Sequence, residues 1–396
     1  MLDVEALRAD TPGCANVTHL NNAGSALPPR VVTDTVVSHL RREEEIGGYE
    51  AHAEAADRVA AVYDSVAQLV NAPRERVALV ESATAAWDRG VQAIAFSEDF
   101  EPDDRFLVSG AEYASNVIPL LQLAERTGAR VEFIPDGPDG TVDVEALGHM
   151  LDERVRIVAI THAPSHNGLL NDVVGVGDML RMHGSPAWFV VDACQSAGQL
   201  PLDMGRIGCD VLSATGRKFL RGPRGTGFLV VSERLLDETE PFPLDLHGAT
   251  WVSDLQYAME PGARRFESWE KSYAALLGLG AAVDYALTCG IDDIRARIDV
   301  LAQGLRTRLS ELPGVDVRDR GTERSGIVTI SAPDPSAIVS GLRERGINTS
   351  FSPPDYARHD SRVHNLNGLV RISPHAYTTE AEIDYAVTTI STLLPS

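Results

Sequence analysis

From about residue 55 to 230, short apolar runs rich in valine and isoleucine alternate with segments of helical pattern. This alternation constrains the fold more than any other feature, because strands connected through helices form a mostly parallel sheet that is covered on both faces. The last predicted strand follows its predecessor after a short loop, which allows it to run antiparallel. The predicted strands lie at residues 77–80, 105–110, 130–135, 156–164, 187–193, 211–216 and 226–232. The sequence therefore predicts an α/β fold with a mostly parallel, seven-stranded sheet.

After residue 264 the pattern changes to two long helices followed by a smaller α+β unit. The first helix is predicted over residues 266–290, where Gly290 is a typical C-cap residue. The second follows directly and stops at Pro313–Gly314. Short strands, a helix, a loop over residues 349–368, one more strand and a final helix from Thr379 complete the chain. We predict three parts: an N-terminal segment (1–20) near the small domain, a large domain (21–263), and a linking helix with the small C-terminal domain (264–396).

Composition limits the partners of the chain. It has 35 Lys+Arg against 57 Asp+Glu, a net charge of −22, which disfavours nucleic acids and anionic membrane surfaces. Its apolar runs fall short of the roughly 18 residues that span a bilayer, and its N-terminus lacks a secretory pattern. The four cysteines are far apart and form no CxxC pair. These observations predict a soluble cytoplasmic protein with reduced thiols, no metal site, no nucleic-acid partner and no membrane partner.

Two polar residues follow neighbouring strands at the sheet edge where ligands of parallel sheets bind. Asp192 ends the strand at 187–193, and Lys218 comes directly after the strand at 211–216. Alone, the first is commonly a structural anchor and the second a solvated charge. Together they match two needs of pyridoxal 5′-phosphate, which takes an amine for a Schiff base, a carboxylate for its ring nitrogen and a cradle for its phosphate.

A phosphate cradle is predicted where the strand at 77–80 leads into a helix. The backbone N–H groups of Ala83 and Thr84, with the Thr84 hydroxyl, lie at the predicted helix start. Such a triplet alone is usually an N-cap. Thr215 and Arg217, beside the lysine, add a hydroxyl and a guanidinium to the same region.

Five segments carry a resemblance to a known family that covers nearly the whole chain. They are HLNNAGSALPP (19–29), SGAEYASNVIP (109–119), VDACQSAG (191–198), LSATGRKFLRGPRGTGFLVV (212–231) and VRISPHAYTTEAEID (370–384). They resemble the class V aminotransferase family of fold-type-I pyridoxal-phosphate enzymes. This group includes cysteine desulfurases, selenocysteine lyases, isopenicillin N epimerases and C–S lyases. The resemblance implies a fold-type-I transferase fold and a homodimer with a shared active site.

The resemblance also implies roles for single residues of the cofactor site. Lys218 resembles the Schiff-base lysine, and Asp192 resembles the partner of the ring nitrogen. Gln195 resembles the residue that hydrogen-bonds the ring hydroxyl. Tyr113 takes the place where many relatives have a histidine stacked on the ring, so we predict both a cofactor-binding and a catalytic role for it.

Three further residues are predicted to contact an amino-acid substrate. Arg371 resembles the arginine that grips the substrate carboxylate with two parallel hydrogen bonds. Ser165 matches a position near substrate and ring that is often asparagine, and Asn22 lies in the segment where the resemblance begins. Relatives supply Gly-Thr from the partner subunit to the phosphate, whereas this chain has Ser268 in that segment. His166 is more simply explained as a hydrogen-bonded loop histidine than as a proton carrier.

One departure from the family guides the prediction of the reaction. Cysteine desulfurases carry a reactive cysteine on the loop before the carboxylate-binding arginine, and residues 346–371 contain none. We therefore predict a C–S lyase that performs β-elimination on an S-substituted cysteine. An aminotransferase or an amino-acid epimerase of the same family is the next choice, followed by a non-catalytic pyridoxal-phosphate-binding protein. A dinucleotide enzyme is disfavoured because no G-x-G-x-x-G follows the first strand.

Overall fold

The computed structural model describes residues 2–394. The strands are β1 (Thr18–His19), β2 (Val77–Val80), β3 (Arg105–Val108), β4 (Arg130–Phe133), β5 (Val155–Thr161), β6 (Trp188–Asp192), β7 (Val211–Thr215), β8 (Gly227–Val231), β9 (Ala249–Ser253), β10 (Gln256–Met259), β11 (Asp316–Val317), β12 (Val328–Ser331), β13 (Ile347–Asn348), β14 (Ser350–Ser352) and β15 (Leu369–Ile372). The α-helices are α1 (Val4–Ala9), α2 (Arg30–Ile46), α3 (Gly48–Glu54), α4 (Ala56–Leu69), α5 (Ala83–Ser97), α6 (Ala114–Thr127), α7 (Val144–Met150), α8 (Val173–Met182), α9 (Met204–Ile207), α10 (Glu233–Glu238), α11 (Tyr273–Cys289), α12 (Ile291–Ser310), α13 (Pro335–Glu344), α14 (Arg358–Val363) and α15 (Glu380–Leu393). Short 3₁₀ helices lie at Pro12–Ala15, Arg74–Arg76, Ala263–Phe266 and Pro354–Ala357.

The predicted seven-stranded sheet is confirmed, with the order β2-β8-β7-β6-β5-β3-β4. Strand β8 is antiparallel to both β2 and β7, and the other neighbours pair in parallel. Gly227 opens β8 under the start of α5, where an added Cβ atom would lie 2.7 Å from the carbonyl carbon of Ser82. The missing side chain at Gly227 therefore lets the loop after β2 approach the sheet.

Alternate residues of each central strand enter two different cores, because both faces of the sheet are covered by helices. One core includes Leu79, Leu107, Val191 and Leu212 together with Val62 of α4 and Leu279 of α11. The other includes Val80, Phe106, Val190 and Val211 together with Trp87 and Ile94 of α5. Burial on both faces explains why these strands are continuous apolar runs in the sequence.

A smaller sheet with the order β11-β12-β15-β14 forms the C-terminal unit, and its strands pair in an antiparallel manner. Its core packs against α12, α13 and α15. The N-terminal strand β1 pairs in parallel with β13 of this unit. The domain limits 1–20, 21–263 and 264–396 stay a prediction, and Met1, Pro395 and Ser396 lie outside the described residues.

Two predicted elements differ from the structure. Helix α11 begins at Tyr273 rather than at residue 266, and Ser272 caps it by accepting a hydrogen bond from Ala275 N. Phe266, where the helix was predicted to begin, ends a 3₁₀ helix instead, and the buried Glu267 side chain that follows is tied to the sheet by a hydrogen bond from Leu79 N of β2. The predicted loop 349–368 contains β14, a 3₁₀ helix and α14. Within residues 2–394 no single helix is long and apolar enough to cross a membrane. Taken together, α11 and α12 are long and apolar enough, but the pair is bent by 78°.

Candidate active site

A cleft of about 360 Å³ lies at the carboxyl ends of β2, β5, β6 and β7. A larger cavity of about 690 Å³ lies elsewhere, and two of the carboxylates that line it, Asp172 and Asp203, are occupied as caps of α8 and α9. The cleft brings together the predicted residues Ala83, Thr84, Tyr113, Ser165, Asp192, Gln195, Thr215, Arg217 and Lys218. Residues that are far apart in the sequence thus meet at one sheet edge.

Lys218 lies in the turn that follows β7 and lines the cleft. The chain contains only two lysines, Lys218 and Lys271. The Lys271 ammonium is bound to the buried Glu267 carboxylate and to His247 Nε2, and burial lowers its pKa despite the opposing effect of Glu267. Lys218 is therefore the one lysine in the described cleft that can form a Schiff base.

The Asp192 carboxylate at the end of β6 is buried and held from two sides. Its Oδ1 accepts a hydrogen bond from Cys194 N at 2.7 Å, and its Oδ2 accepts one from Asn116 Nδ2 at 2.9 Å. Both partners are neutral donors, so the carboxylate stays available to a cationic ring nitrogen in the cleft. The bond from Asn116 to Asp192 has no signal in the sequence and is visible only in the structure.

Three of the predicted residues have buried polar atoms without a hydrogen-bond partner among the described residues. They are Gln195 Oε1, Ser165 Oγ and Arg371 Nε. Gln195 Nε2 donates to the carbonyl oxygen of Ala23 at 3.0 Å, which leaves Oε1 as a free acceptor. Because buried polar atoms are rarely left unpaired, this set fits a polar ligand such as pyridoxal phosphate with an amino acid beside it.

The phosphate end of the cleft is formed by the N-terminus of α5. Ser82 is the N-cap and accepts a hydrogen bond from Ala85 N at 3.1 Å, so the N–H groups of Ala83 and Thr84 have no partner within the helix. The Thr215 hydroxyl donates to the carbonyl oxygen of Thr226 at 3.0 Å. Arg217 Nη1 donates to the carbonyl oxygen of Gly24, which occupies part of its guanidinium.

Tyr113 lies at the wall of the cleft, at the N-cap position of α6. Its ring meets that of Tyr356 edge-on, with centroids 6.0 Å apart. Burial, with smaller contributions from Tyr356 and Cys194, raises the pKa of the Tyr113 phenol. The phenol therefore keeps its proton at neutral pH. Tyr356 has no sequence signal, because the 3₁₀ helix at Pro354–Ala357 lies in a segment that the sequence predicts as loop.

Arg371 of β15 reaches the loop after β5. Its Nη1 donates to the carbonyl oxygen of Ser165 at 3.0 Å, and its Nη2 lies 3.4 Å from Asn21 Oδ1. Burial lowers the pKa of Arg371 to about 10, so the guanidinium is still charged at neutral pH.

The structure does not bring Asn22 or Ser268 to the cleft of this chain. Asn22 is fully buried; its Nδ2 donates to the carbonyl oxygen of Ser373 at 2.7 Å, and its Oδ1 accepts from Tyr377 Oη at 2.6 Å. The side chain therefore joins the N-terminal segment to the turn after β15, and Asn21 is the neighbour that faces Arg371. Ser268 Oγ accepts a hydrogen bond from Arg89 Nη2 at 2.9 Å.

His166 is held by a buried hydrogen bond. Its Nε2 lies 2.7 Å from Asp360 Oδ2, and both side chains are buried. This contact links the loop after β5 to α14, in the segment where desulfurases carry their reactive cysteine.

Comparison with known proteins gives the family. The family model of class-V aminotransferases matches residues 18–386. The chain belongs to this family. Pyridoxal phosphate is accordingly its cofactor, as predicted, and residues of the cleft fit the ring, the phosphate and the amine linkage.

Relatives and solved structures cover almost the full length of this class-V chain. A probable cysteine desulfurase of Xylella fastidiosa (strain 9a5c) is 31% identical over 357 residues, which is 86% of this chain and 81% of the relative. The apo cysteine desulfurase of Thermococcus onnurineus NA1 has a TM-score of 0.91 at 23% identity, covering 100% of this chain and 98% of that one. The cystine C–S lyase C-DES, solved with its reaction product cysteine persulfide, has a TM-score of 0.85 at 23% identity, covering 97% and 100%.

Proposed function

We propose that this class-V enzyme is a C–S lyase that performs β-elimination on S-substituted cysteines. The products are pyruvate, ammonia and the sulfur fragment, which is a thiol from a thioether and a sulfenate from a sulfoxide. The observation that carries the proposal is the state of the four cysteines, since a desulfurase needs a reactive thiol to take up sulfur.

The loop before Arg371 offers no sulfur acceptor. Residues 346–371 contain no cysteine. In that segment the structure places Tyr356 against Tyr113 at the cleft.

The four cysteines are free thiols, which agrees with the cytoplasmic location that we propose. Cys194 lines the cleft, but burial raises the pKa of its thiol against the opposing effect of Lys218. Burial also raises the pKa values of Cys14 and Cys289 outside the cleft, and that of Cys209 strongly. Because the thiolate is the nucleophile, these protonated thiols are poor acceptors of sulfur.

Pyridoxal phosphate, once bound, supplies an aldehyde for the substrate amine and a ring that withdraws electrons from Cα. The residues of the chain bind and orient the substrate and the cofactor. Arg371 binds the substrate carboxylate through its planar fork, and Asp192 keeps the ring nitrogen protonated. Gln195 accepts from the ring hydroxyl, while the N-terminus of α5 binds the phosphate.

Lys218 and Tyr113 move the protons. Lys218 Nζ takes the proton from Cα, and the electron pair of that bond forms a double bond to Cβ as the Cβ–S bond breaks. Tyr113 Oη gives its proton to the departing sulfur. The released 2-aminoacrylate is hydrolysed to pyruvate and ammonia.

The curated relatives carry the name cysteine desulfurase, so that reaction is the strongest competitor. The C–S lyase C-DES has the same fold as this chain, and its product, cysteine persulfide, is what elimination from cystine releases. The fold therefore does not decide between the two reactions.

The two reactions differ in the carbon product. We would incubate the holoenzyme with cystine, S-methylcysteine or free cysteine and measure pyruvate, ammonia and alanine. The proposal expects equal amounts of pyruvate and ammonia from the two S-substituted substrates and intact protein thiols by mass spectrometry. Alanine formed from free cysteine, with a persulfide on the protein, would identify a desulfurase.

Two further outcomes of the same incubations would identify a different reaction of the family. Conversion of the cofactor to its amine form, reversed by a keto acid, indicates an aminotransferase. Solvent deuterium at Cα of an intact, racemised substrate indicates an epimerase.

We also propose that a second copy of this chain completes the site. The hairpin β9–β10 projects apolar residues into solvent, including Trp251 at 78% and Leu255 at 95% exposure. Soluble monomers rarely expose such groups together. Ser268 lies nine residues after the hairpin and outside the cleft of its own chain, which suits a residue that serves the phosphate site of the partner.

A further inference from the structure

Glu112 is a buried carboxylate behind the cofactor cleft that no step of the proposed reaction uses. It lies in the loop between β3 and α6 and is 3% exposed. It accepts hydrogen bonds from Ser109 Oγ at 2.5 Å and from Thr161 N at 2.8 Å, and Thr161 Oγ1 also contacts it. Such a complete set of donors holds the carboxylate in one orientation.

One amide group connects Glu112 to Asp192. Asn116 Nδ2 donates to Glu112 Oε1 at 2.8 Å and to Asp192 Oδ2 at 2.9 Å. A primary amide has two N–H donors, so these two carboxylates use both. The same nitrogen lies 3.3 Å from Thr161 Oγ1.

We propose that Glu112 is a positioning residue for the cofactor: through Asn116 it fixes the orientation of Asp192 and places a second negative charge behind it. Without an acceptor at Glu112, one hydrogen of the Asn116 amide is unpaired in a buried place, and the amide no longer holds Asp192 Oδ2. The added charge strengthens the hold of the site on a protonated ring nitrogen. The proposal concerns cofactor binding and is independent of which reaction follows.

The electrostatic setting supports this role. Burial, with a smaller contribution from Asp192, raises the pKa of Glu112 to about 7, while the bonds from Asn116, Ser109 and Thr161 oppose the rise. Asp192 on β6 is the titratable group that faces Glu112, and the contacts from β5, α6 and its own loop are neutral side chains or backbone. Glu112 is therefore poised to change its charge near neutral pH.

The test measures cofactor affinity rather than turnover. Apoenzyme is titrated with pyridoxal phosphate for the wild type, Glu112→Gln, Asp192→Asn and the double variant. We expect Glu112→Gln to weaken cofactor binding about tenfold, as for the loss of one hydrogen bond to a charged group. Glutamine has a single acceptor oxygen, which the backbone donor Thr161 N requires, so its NH2 group faces the donor Asn116 Nδ2. In the Asp192→Asn background the same substitution is expected to change affinity less than about twofold, because Glu112 acts through Asp192.

Two variants and one spectrum separate positioning from a purely structural role. Asn116→Ala cuts the connection with both carboxylates kept, and we expect a similar loss of affinity; this variant also serves if Glu112→Gln fails to fold. Ser109→Ala removes one donor to Glu112 but keeps its charge and the Asn116 contact, so affinity is expected to stay within about twofold. The visible band of the bound cofactor in Glu112→Gln should titrate at lower pH than in the wild type. The proposal is overturned if Glu112→Gln changes neither the pH at which the band titrates nor the cofactor affinity. It is also overturned if Glu112→Gln lowers cofactor affinity equally in the wild-type and Asp192→Asn backgrounds.

Discussion

The guanidinium of Arg371 donates a 3.0 Å hydrogen bond from Nη1 to the main-chain carbonyl oxygen of Ser165. This bond joins β15 of the C-terminal sheet to the loop after β5 of the seven-stranded sheet. It also turns the guanidinium so that Nε is buried without a partner among the described residues. A buried cationic donor beside Tyr113 suits an anionic group of the substrate. The α-carboxylate of an amino acid is such a group.

Arg371→Lys is expected to lower kcat/KM for S-methylcysteine about 10- to 100-fold, because lysine keeps the charge but loses the planar fork. Steady-state kinetics with cofactor saturation verified by absorbance measures this change. Arg358→Lys is the matched control, since Arg358 lies on α14 in the same region but is exposed and paired with Asp355. An unchanged kcat/KM in Arg371→Lys would make Arg371 structural and leave Arg358 and Arg362 as candidates.

Lys218→Ala is expected to lose the visible absorbance of the lysine-bound cofactor and all turnover. With only two lysines in the chain, reduction with borohydride followed by peptide mass spectrometry locates the cofactor without ambiguity. Lys271→Arg keeps a cation beside Glu267 and should retain the absorbance. Label on Lys271 in the wild type would refute the assignment.

The sheet, and the edge of it that carries Asp192 and Lys218, were predictable because their sequence signals are local. Strands buried on both faces are continuous apolar runs, and residues that follow parallel strands meet at one edge of the sheet. The positions of Asp192 and Lys218 follow from these two rules alone. The family resemblance added the roles of Gln195 and Arg371, which no periodicity indicates.

The features of the structure that differ from the sequence prediction depend on tertiary contacts. Asn21 forms an isolated β-bridge with Ser373, and Asn22 begins the turn that follows, so this long-range bridge decides which of the two faces Arg371. Helix α14 has six residues, too few for a periodic signal. The segment before α11 is tied by Glu267 to β2, 188 residues away in sequence.

The hairpin β9–β10 is expected to hold two copies of the chain together. Replacing both Trp251 and Leu255 by serine should convert a dimer into a monomer in sedimentation velocity, because these exposed side chains lose the apolar area that a second copy covers. The monomer should also bind the cofactor more weakly if the partner contributes to the phosphate site. Val300→Ser on α12, another exposed apolar residue, is the control. A wild-type monomer with full activity contradicts the shared site.

Asp360 is expected to stabilise the contact between α14 and the loop after β5. Burial acts to raise its pKa, but the hydrogen bond from His166 and the charges of His166 and Arg320 hold it at about 2. A carboxyl whose folded-state pKa is depressed adds stability above its unfolded value, and this contribution is lost as pH falls from about 4 to about 2. Asp360→Asn should therefore lower the free energy of unfolding at pH 7 by about 2–3 kcal/mol, which is what a depression of the pKa from about 4 to about 2 is worth.

Chemical denaturation of the wild type and of Asp360→Asn at several pH values measures this difference. The gap should narrow below about pH 4, as the wild-type carboxyl takes up a proton. Asp355→Asn, on the exposed side of the same segment, should change stability by less than about 0.5 kcal/mol. A gap that is constant from pH 7 to pH 3 is incompatible with an ionised Asp360 as its source.

Tyr113 is expected to act as the general acid toward the departing sulfur. Burial raises the pKa of its phenol, so the proton is present throughout the neutral range and the role is not lost until alkaline pH. Tyr113→Phe keeps the ring against Tyr356 but removes the proton. With S-methylcysteine, kcat should fall by about 10²–10⁴, the usual contribution of a general acid, while cofactor affinity stays nearly unchanged.

The leaving group provides the internal control for this role. An S-(4-nitrophenyl)cysteine releases a thiolate that is stable without a proton, so it has little need of the Tyr113 phenol. The Tyr113→Phe defect should therefore shrink to a few-fold with the nitrophenyl substrate and remain large with the methyl substrate. Single-turnover release of the thiol, measured for both substrates in both proteins, gives the comparison. An equal defect for the two leaving groups would instead place Tyr113 in ring packing and leave the proton donor to another group in the cleft.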